Sequence, residues 1–216
     1  MKEFALKEIS LVLRLILALL WIIFFPIWAQ WISESPLKSK KITFSPPSTI
    51  EENVEIRLPE KFAIEFMFDR NSIEFEKLKK YIGAMGLCKT SEECSKGIVV
   101  PIRWKLLDKK SGIVSAQGEV ETQDSSGWSG AHVYRHIGTF QVNPGEYTFK
   151  AEILRDIPEL SFLSANIAIS IPAKRSTTWQ IGLVWWGNIG IVFVAYPMLA
   201  YTLCLLLWRY FRADKK

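Results

Sequence analysis

Phe62-Ala63-Ile64-Glu65-Phe66-Met67-Phe68 alternates large apolar side chains with a smaller or polar set, the period of two expected of a strand with one face in a core. The pattern recurs along the chain. Ile98, Val100, Ile102, Trp104 and Leu106 alternate with Pro101, Arg103 and Lys105. Tyr147, Phe149, Ala151 and Ile153 alternate with Thr148, Lys150 and Glu152, and Ile167, Ile169 and Ile171 form another face. Weaker strands are predicted near 54–58, 112–121 and 133–142. Seven or so short strands separated by turns predict an antiparallel, immunoglobulin-like β-sandwich. One short helix interrupts it. Asn71 with Glu74 three residues on reads as a capping box; Phe75, Leu78 and Ile82 share a face, Lys79 and Lys80 occupy the last turn, and Gly83 ends it. Pro144-Gly145-Glu146-Tyr147 makes a turn into the strand that follows, with a Pro-fixed φ beside a permissive glycine.

The two ends differ from this middle. Leu15 to Ile32 carries no charge over 18 residues, and Ser176 to Trp208 carries none over 33. At about 1.5 Å rise per residue, either run is long enough for a hydrocarbon core of about 30 Å. Two transmembrane helices are therefore predicted, at 9–33 and 179–208. Trp28, Trp31, Trp179, Trp185, Trp186 and Trp208 fall near the ends of these runs, where an indole meets both lipid and water, so they are assigned to the membrane interface. Arg14 reads as a snorkelling side chain. The first segment also has some signal-peptide character, but bulky Ile27 and the flanking tryptophans make a poor cleavage site after Ala29, so it reads as a signal anchor. The stretch 34–48, with Ser35-Pro36 and Ser45-Pro46-Pro47-Ser48, reads as a stiff stalk. Residues 1–8 and 209–216 form short tails.

The 216 residues include 27 Lys+Arg against 22 Asp+Glu, a net charge of +5. Residues 49–175 hold 17 basic and 18 acidic residues, a net of −1, leaving +6 for the membrane-flanking remainder. The basic excess thus borders the membrane, which argues against nucleic acid as a partner. The topology expected is a two-pass protein of a bacterial inner membrane, both termini cytoplasmic and the central domain periplasmic, since large domains translocate largely regardless of charge. In such an oxidising compartment Cys88 and Cys94 are expected to form a disulfide, whose closed loop contributes about 2 kcal/mol on the chain-entropy model.

The residues offer little chemistry. His132 and His136 have H-x3-H spacing, but on a strand positions four apart lie about 13 Å from each other, too far for one metal. No nucleophile elbow, phosphate loop or dinucleotide fingerprint occurs. The expectation is a protein that is not an enzyme and takes neither cofactor nor small-molecule substrate. The loop Thr122 to Ala131 is the most suggestive surface feature. Its Trp128 reads either as a recognition anchor or as a cap folded back on the sandwich, and Asp124, His132 and Tyr134 are its companions in a candidate partner-binding surface.

From Val54 to Pro172 the order of elements resembles an uncharacterised family of bacterial envelope domains, often lipoproteins. The residues that carry the likeness are Pro101-Ile102, Pro144-Gly145-Glu146-Tyr147 and Pro158-Glu159-Leu160. This chain departs from the lipoprotein form: it has no lipobox cysteine after its first apolar segment, and it adds a second membrane helix. The resemblance implies a fold and no active site. Two functions are expected from the whole: a membrane-anchored protein-binding module, as in an immunity protein that neutralises a periplasm- or membrane-acting toxin, or an accessory subunit of a membrane complex.

Overall fold

The computed structural model describes residues 2–71, 74–83, 96–172, 176 and 178–213. The chain divides into two compact units, Ser35–Thr177 and the pair of terminal segments Met1–Glu34 and Thr178–Lys216.

The central unit is an antiparallel two-sheet sandwich. Its strands are β1 (Leu37–Ile42), β2 (Thr49–Ile56), β3 (Lys61–Asp69), β4 (Val100–Asp108), β5 (Val114–Thr122), β6 (Gly127–Trp128), β7 (His132–Gln141), β8 (Gly145–Ile153) and β9 (Ala165–Ser170). One sheet has the order β1-β9-β3-β7-β6 and the other β2-β8-β4-β5. All seven predicted strands are present. The period of two decides what faces inward: Phe62, Ile64, Phe66 and Phe68 of β3 are buried with Ile102, Trp104 and Leu106 of β4 and with Phe149 and Ala151 of β8. Burying side chains of this size contributes about 1.5–3 kcal/mol each.

Trp104 shows how closely the layers fit. A Cβ on Gly118 of β5 would lie 2.8 Å from its ring, and one on Gly138 of β7 would lie 3.0 Å from it, so both strands lack a side chain where the indole passes.

The stretch read as a stalk is folded. Leu37–Ile42 forms β1, antiparallel to β9, and Phe44 is buried against Phe66 with ring centroids 5.6 Å apart. The apolar ends Leu37 and Ile42 face inward while Lys38, Lys40 and Lys41 stay in water, the charged pattern that keeps a sheet edge from pairing further. Proline was the misleading signal: Pro46 and Pro47 make a turn between strands.

The helix α2 (Phe75–Ile82) also differs at its start. It begins after Glu74 with no side-chain cap, while Asp69 Oδ1 accepts from the Asn71 backbone N–H at 2.9 Å. That local turn competes with a cap on Asn71. The rest is as expected: Leu78 and Ile82 are buried, and Gly83 ends the helix at φ +87°, its N–H donating to the Lys79 carbonyl.

Arg135, inward-facing on β7, is fully buried. Its guanidinium donates to the carbonyls of Ile98 (2.9 Å), Tyr81 (3.2 Å) and Ile82, tying the C-terminal end of α2 to the sheet. Burial pushes it down to about 10, opposed by the charge of Asp124, so it remains charged at neutral pH.

In the second unit, α1 (Lys2–Ser33) packs with a continuous helix built of α3 (Trp179–Gly190), a π-turn at Ile191–Ala195 and α4 (Tyr196–Ala213). Pro197 has no N–H for the Phe193 carbonyl, and the widened turn just before it absorbs that loss. Leu11–Ser33 and Trp179–Trp208 are long and apolar enough to cross a membrane. A Cβ on Gly187 would lie 2.0 Å from Phe25 Cζ, and one on Gly190 2.7 Å from Trp21 Cζ2. These glycines receive the aromatic rings of α1, an interface that a search for small residues four apart does not find. Trp31, Trp179, Trp185, Trp186 and Trp208 are exposed, and Trp28 is half-buried beside Phe25.

Candidate functional site

The outward side chains of β3 are the ones the opening motif leaves over: Lys61, Ala63, Glu65 and Met67. They form the floor of an open groove of about 910 Å³ on the five-stranded sheet. Strand order decides the walls. β9 lies on one side, with Ala168 opposite Glu65 and Ser170 opposite Ala63. β7 lies on the other, with His136 opposite Glu65 and Tyr134 opposite Met67. A bulge between the Ile64–Gly138 and Glu65–His136 pairs inserts Ile137 into the core. It lets two consecutive residues, Ile137 and Gly138, serve the inner side while His136 and Thr139 stay in the groove.

The loop before β7 closes the end. Ser126 N–H donates to the Tyr134 carbonyl at 2.8 Å, and β6 pairs Gly127 and Trp128 with Tyr134 and Val133. Ser129 N–H donates to the His132 carbonyl at 2.7 Å, while Tyr134 Oη bonds Ser129 Oγ at 3.3 Å. This pinned loop holds Trp128 on the groove wall, 51% exposed, and not as a cap over the core.

Glu65 is the central charged group. Partial burial raises its carboxyl above the ordinary value of 4.5, while His136 and a 3.5 Å hydrogen bond from Ser126 Oγ act the other way. The small neighbours Ala63 and Ala168 leave the carboxylate open from above. Chemically the groove offers one acceptor carboxylate, two aromatic faces, a thioether, the His136 imidazole, and two lysines, Lys38 on β1 and Lys61 about 13 Å further along the same strand.

Of the predicted partner-binding residues, Trp128 and Tyr134 meet in the groove. His132 adjoins Tyr134, with ring centroids 6.3 Å apart. Asp124 does not join them. It lies beneath the sheet beside Gly83 and Arg135, where it serves the buried guanidinium. His136, read in the sequence only against a metal site, and Glu65 and Met67, read there only as part of a strand's alternation, join Trp128 and Tyr134 on the surface. The available signal was that β3 is apolar on both faces, since Ala63 and Met67 alternate with the phenylalanines. Cys88 and Cys94 lie outside the described residues. Among the described residues no cluster of His, Cys, Asp and Glu is arranged to hold a metal.

Residues 47–171 match the model of a domain of unknown function, DUF5625. The chain belongs to this family. No curated protein matches the sequence. Among solved structures, the crystal structure of GEBA250068378 from Sulfurospirillum deleyianum is similar, with a TM-score of 0.50 at 21% identity over 63% of this chain and 97% of that one. The likeness extends to the fold alone.

Proposed function

We propose that this DUF5625 protein is a membrane-anchored binding module that takes a segment of a protein partner in the groove of the five-stranded sheet. The observation that carries the reading is the groove itself. It gathers Trp128, Tyr134 and Met67, side chains of the types that dominate interfaces, on a rigid sheet and around a single half-buried carboxylate. The two apolar helices serve as the anchor, with their exposed tryptophans at the headgroups and the domain on the outer side of a bacterial inner membrane. A toxin acting at that membrane is the partner class in view, which makes the module an immunity protein. The disulfide between Cys88 and Cys94 belongs to the same reading.

The test is a photo-crosslinking amino acid placed at Trp128, and separately at Glu119 on the opposite sheet, in cells challenged with the suspected toxin. Adducts with the toxin from position 128 and none from 119 are expected; equal yields from both faces, or no adduct from 128, sink the proposal. Replacing both helices with an unrelated anchor leaves the adduct intact for a binding module and abolishes it for a subunit whose helices make the contact.

A further inference from the structure

Within the groove, and resting on that binding reading, the position of Glu65 specifies the chemistry of the occupant. Glu65 is the centre of the floor, flanked by Ala168 on β9 and His136 on β7. Its contacts are the marginal 3.5 Å hydrogen bond from Ser126 and the electrostatic influence of His136. No lysine or arginine forms an ion pair with it among the described residues: Lys61, on the same face, is four positions away, about 13 Å along the strand, and Lys38 of β1, which also lines the groove, lies on the far side of β9. A carboxylate set among Ala63, Ala168 and Met67 has lost water without gaining a lysine or arginine in direct contact, His136 being its nearest basic neighbour, an unfavourable arrangement for the empty protein. The groove walls reinforce the point. Trp128 and Tyr134 present aromatic rings to the same space, and such rings attract a cation to their faces. Alanine on the paired strand leaves room for a planar head group to reach both carboxylate oxygens.

We infer that Glu65 receives a cationic side chain, arginine above lysine, from an extended segment of the partner protein, with Trp128 and Tyr134 flanking the charge. Charge complementarity at the centre of the floor selects this side chain: an acidic one there faces the Glu65 carboxylate, and an uncharged apolar one leaves it desolvated and unpaired, while Lys38 and Lys61 elsewhere in the groove leave the flanking positions of the segment unrestricted in charge. Arginine is favoured over lysine because its planar fork bonds both oxygens and stacks on an indole.

The experiment uses the full chain in detergent micelles, labelled with 5-fluorotryptophan, with the Trp128 resonance assigned by its absence in Trp128→Phe. The probes are acetyl-Gly-Gly-X-Gly-Gly-amide peptides with X arginine, its uncharged isostere citrulline, or glutamate. The arginine peptide is expected to move the Trp128 resonance with a Kd at least ten-fold below that of citrulline, equivalent to about 1.4 kcal/mol. Glu65→Gln is expected to bring the arginine Kd up to the citrulline value. Glu119→Gln, on the opposite sheet, leaves the preference unchanged. Arginine and citrulline binding equally, or a preference that survives Glu65→Gln, overturns the charge assignment while leaving the groove as a peptide site. No response to any peptide, together with no adduct from position 128, overturns the groove reading as well.

Discussion

The two outer faces of the sandwich are built from the same strand geometry and carry opposite chemistry. On the four-stranded sheet, opposite charges pair between neighbouring elements: Lys150 with Glu51 at 2.9 Å and Arg103 with Glu119 at 2.8 Å across strands, and Lys109, in the turn after β4, with Glu146 of β8 at 3.0 Å. These pairs are solvated and each contributes at most about 1 kcal/mol, so they keep the face wet and do little to hold the fold. On the five-stranded sheet the corresponding central positions are Ala63, Glu65, Met67, Tyr134, His136 and Ala168, with one carboxylate and no ion pair to it among the described residues, and Lys38 and Lys61 line the same groove without pairing with it. A face meant to stay in water carries charges that hydrate well. A face meant to lose water to a partner carries few, because each must be desolvated when the partner arrives.

That contrast is open to attack at several points. The largest effect is expected beneath the groove. Arg135→Ala leaves the carbonyls of Tyr81, Ile82 and Ile98 without their donor and opens a void, at a cost of about 3 kcal/mol by chemical denaturation. Hydrogen exchange should then quicken in α2 and β7 while β8 stays protected; uniform loss of protection would mean the two sheets do not differ in support. Next, Gly118→Val drives a branched side chain into the Trp104 ring and should cost about 2 kcal/mol, lowering the melting temperature. An unchanged melting temperature would show that the close fit of the layers is not what spaces the faces.

Glu65→Gln should act in the other direction. The folded-state value of Glu65 lies above its unfolded one, so its ionisation weighs against folding as pH rises through the carboxylate range. The variant should be more stable than the parent at pH 7, by less than about 1 kcal/mol after solvent screening, and no more stable well below about pH 4, where the parent's Glu65 is protonated in the folded and unfolded states alike. A lower stability at pH 7 would mean that the carboxylate is satisfied within the free protein. The smallest effect belongs to the charged face: a double-mutant cycle on Arg103→Ala and Glu119→Ala should give a coupling below about 0.5 kcal/mol, shrinking further with salt.

Much of the inner face was readable from single strands. Phe62, Phe66, Ile102, Trp104 and Phe149 declare themselves by alternation, because a pleated strand sends neighbouring side chains to opposite sides whatever it pairs with. Places where that rule is interrupted were harder to read. Ile137 and Phe140 are three apart where two or four is expected, which is the trace of the bulge opposite Ile64 and Glu65. Arg135, by parity an inward residue between Val133 and Ile137, is charged, and only the carbonyls at the end of α2 explain it. β1 was hidden because its three lysines and the prolines after it have the composition of a linker, while its ladder partner β9 lies well over a hundred residues later. Nothing in the apolar run singles out Gly187 and Gly190; only the packing of Phe25 and Trp21 against them does.

The sequence by itself determined a β-sandwich between two apolar helices, the inward set of its strands, and the location of the basic excess at the ends. Those properties follow from period, length and charge, which are local or additive along the chain. Only the tertiary structure decided that Glu65 sits between Ala168 and His136, that Trp128 and Tyr134 share its groove, and that Asp124 does not. Strand order brings those residues together, and it is set by the packing of distant faces, a cooperative quantity that no single strand encodes.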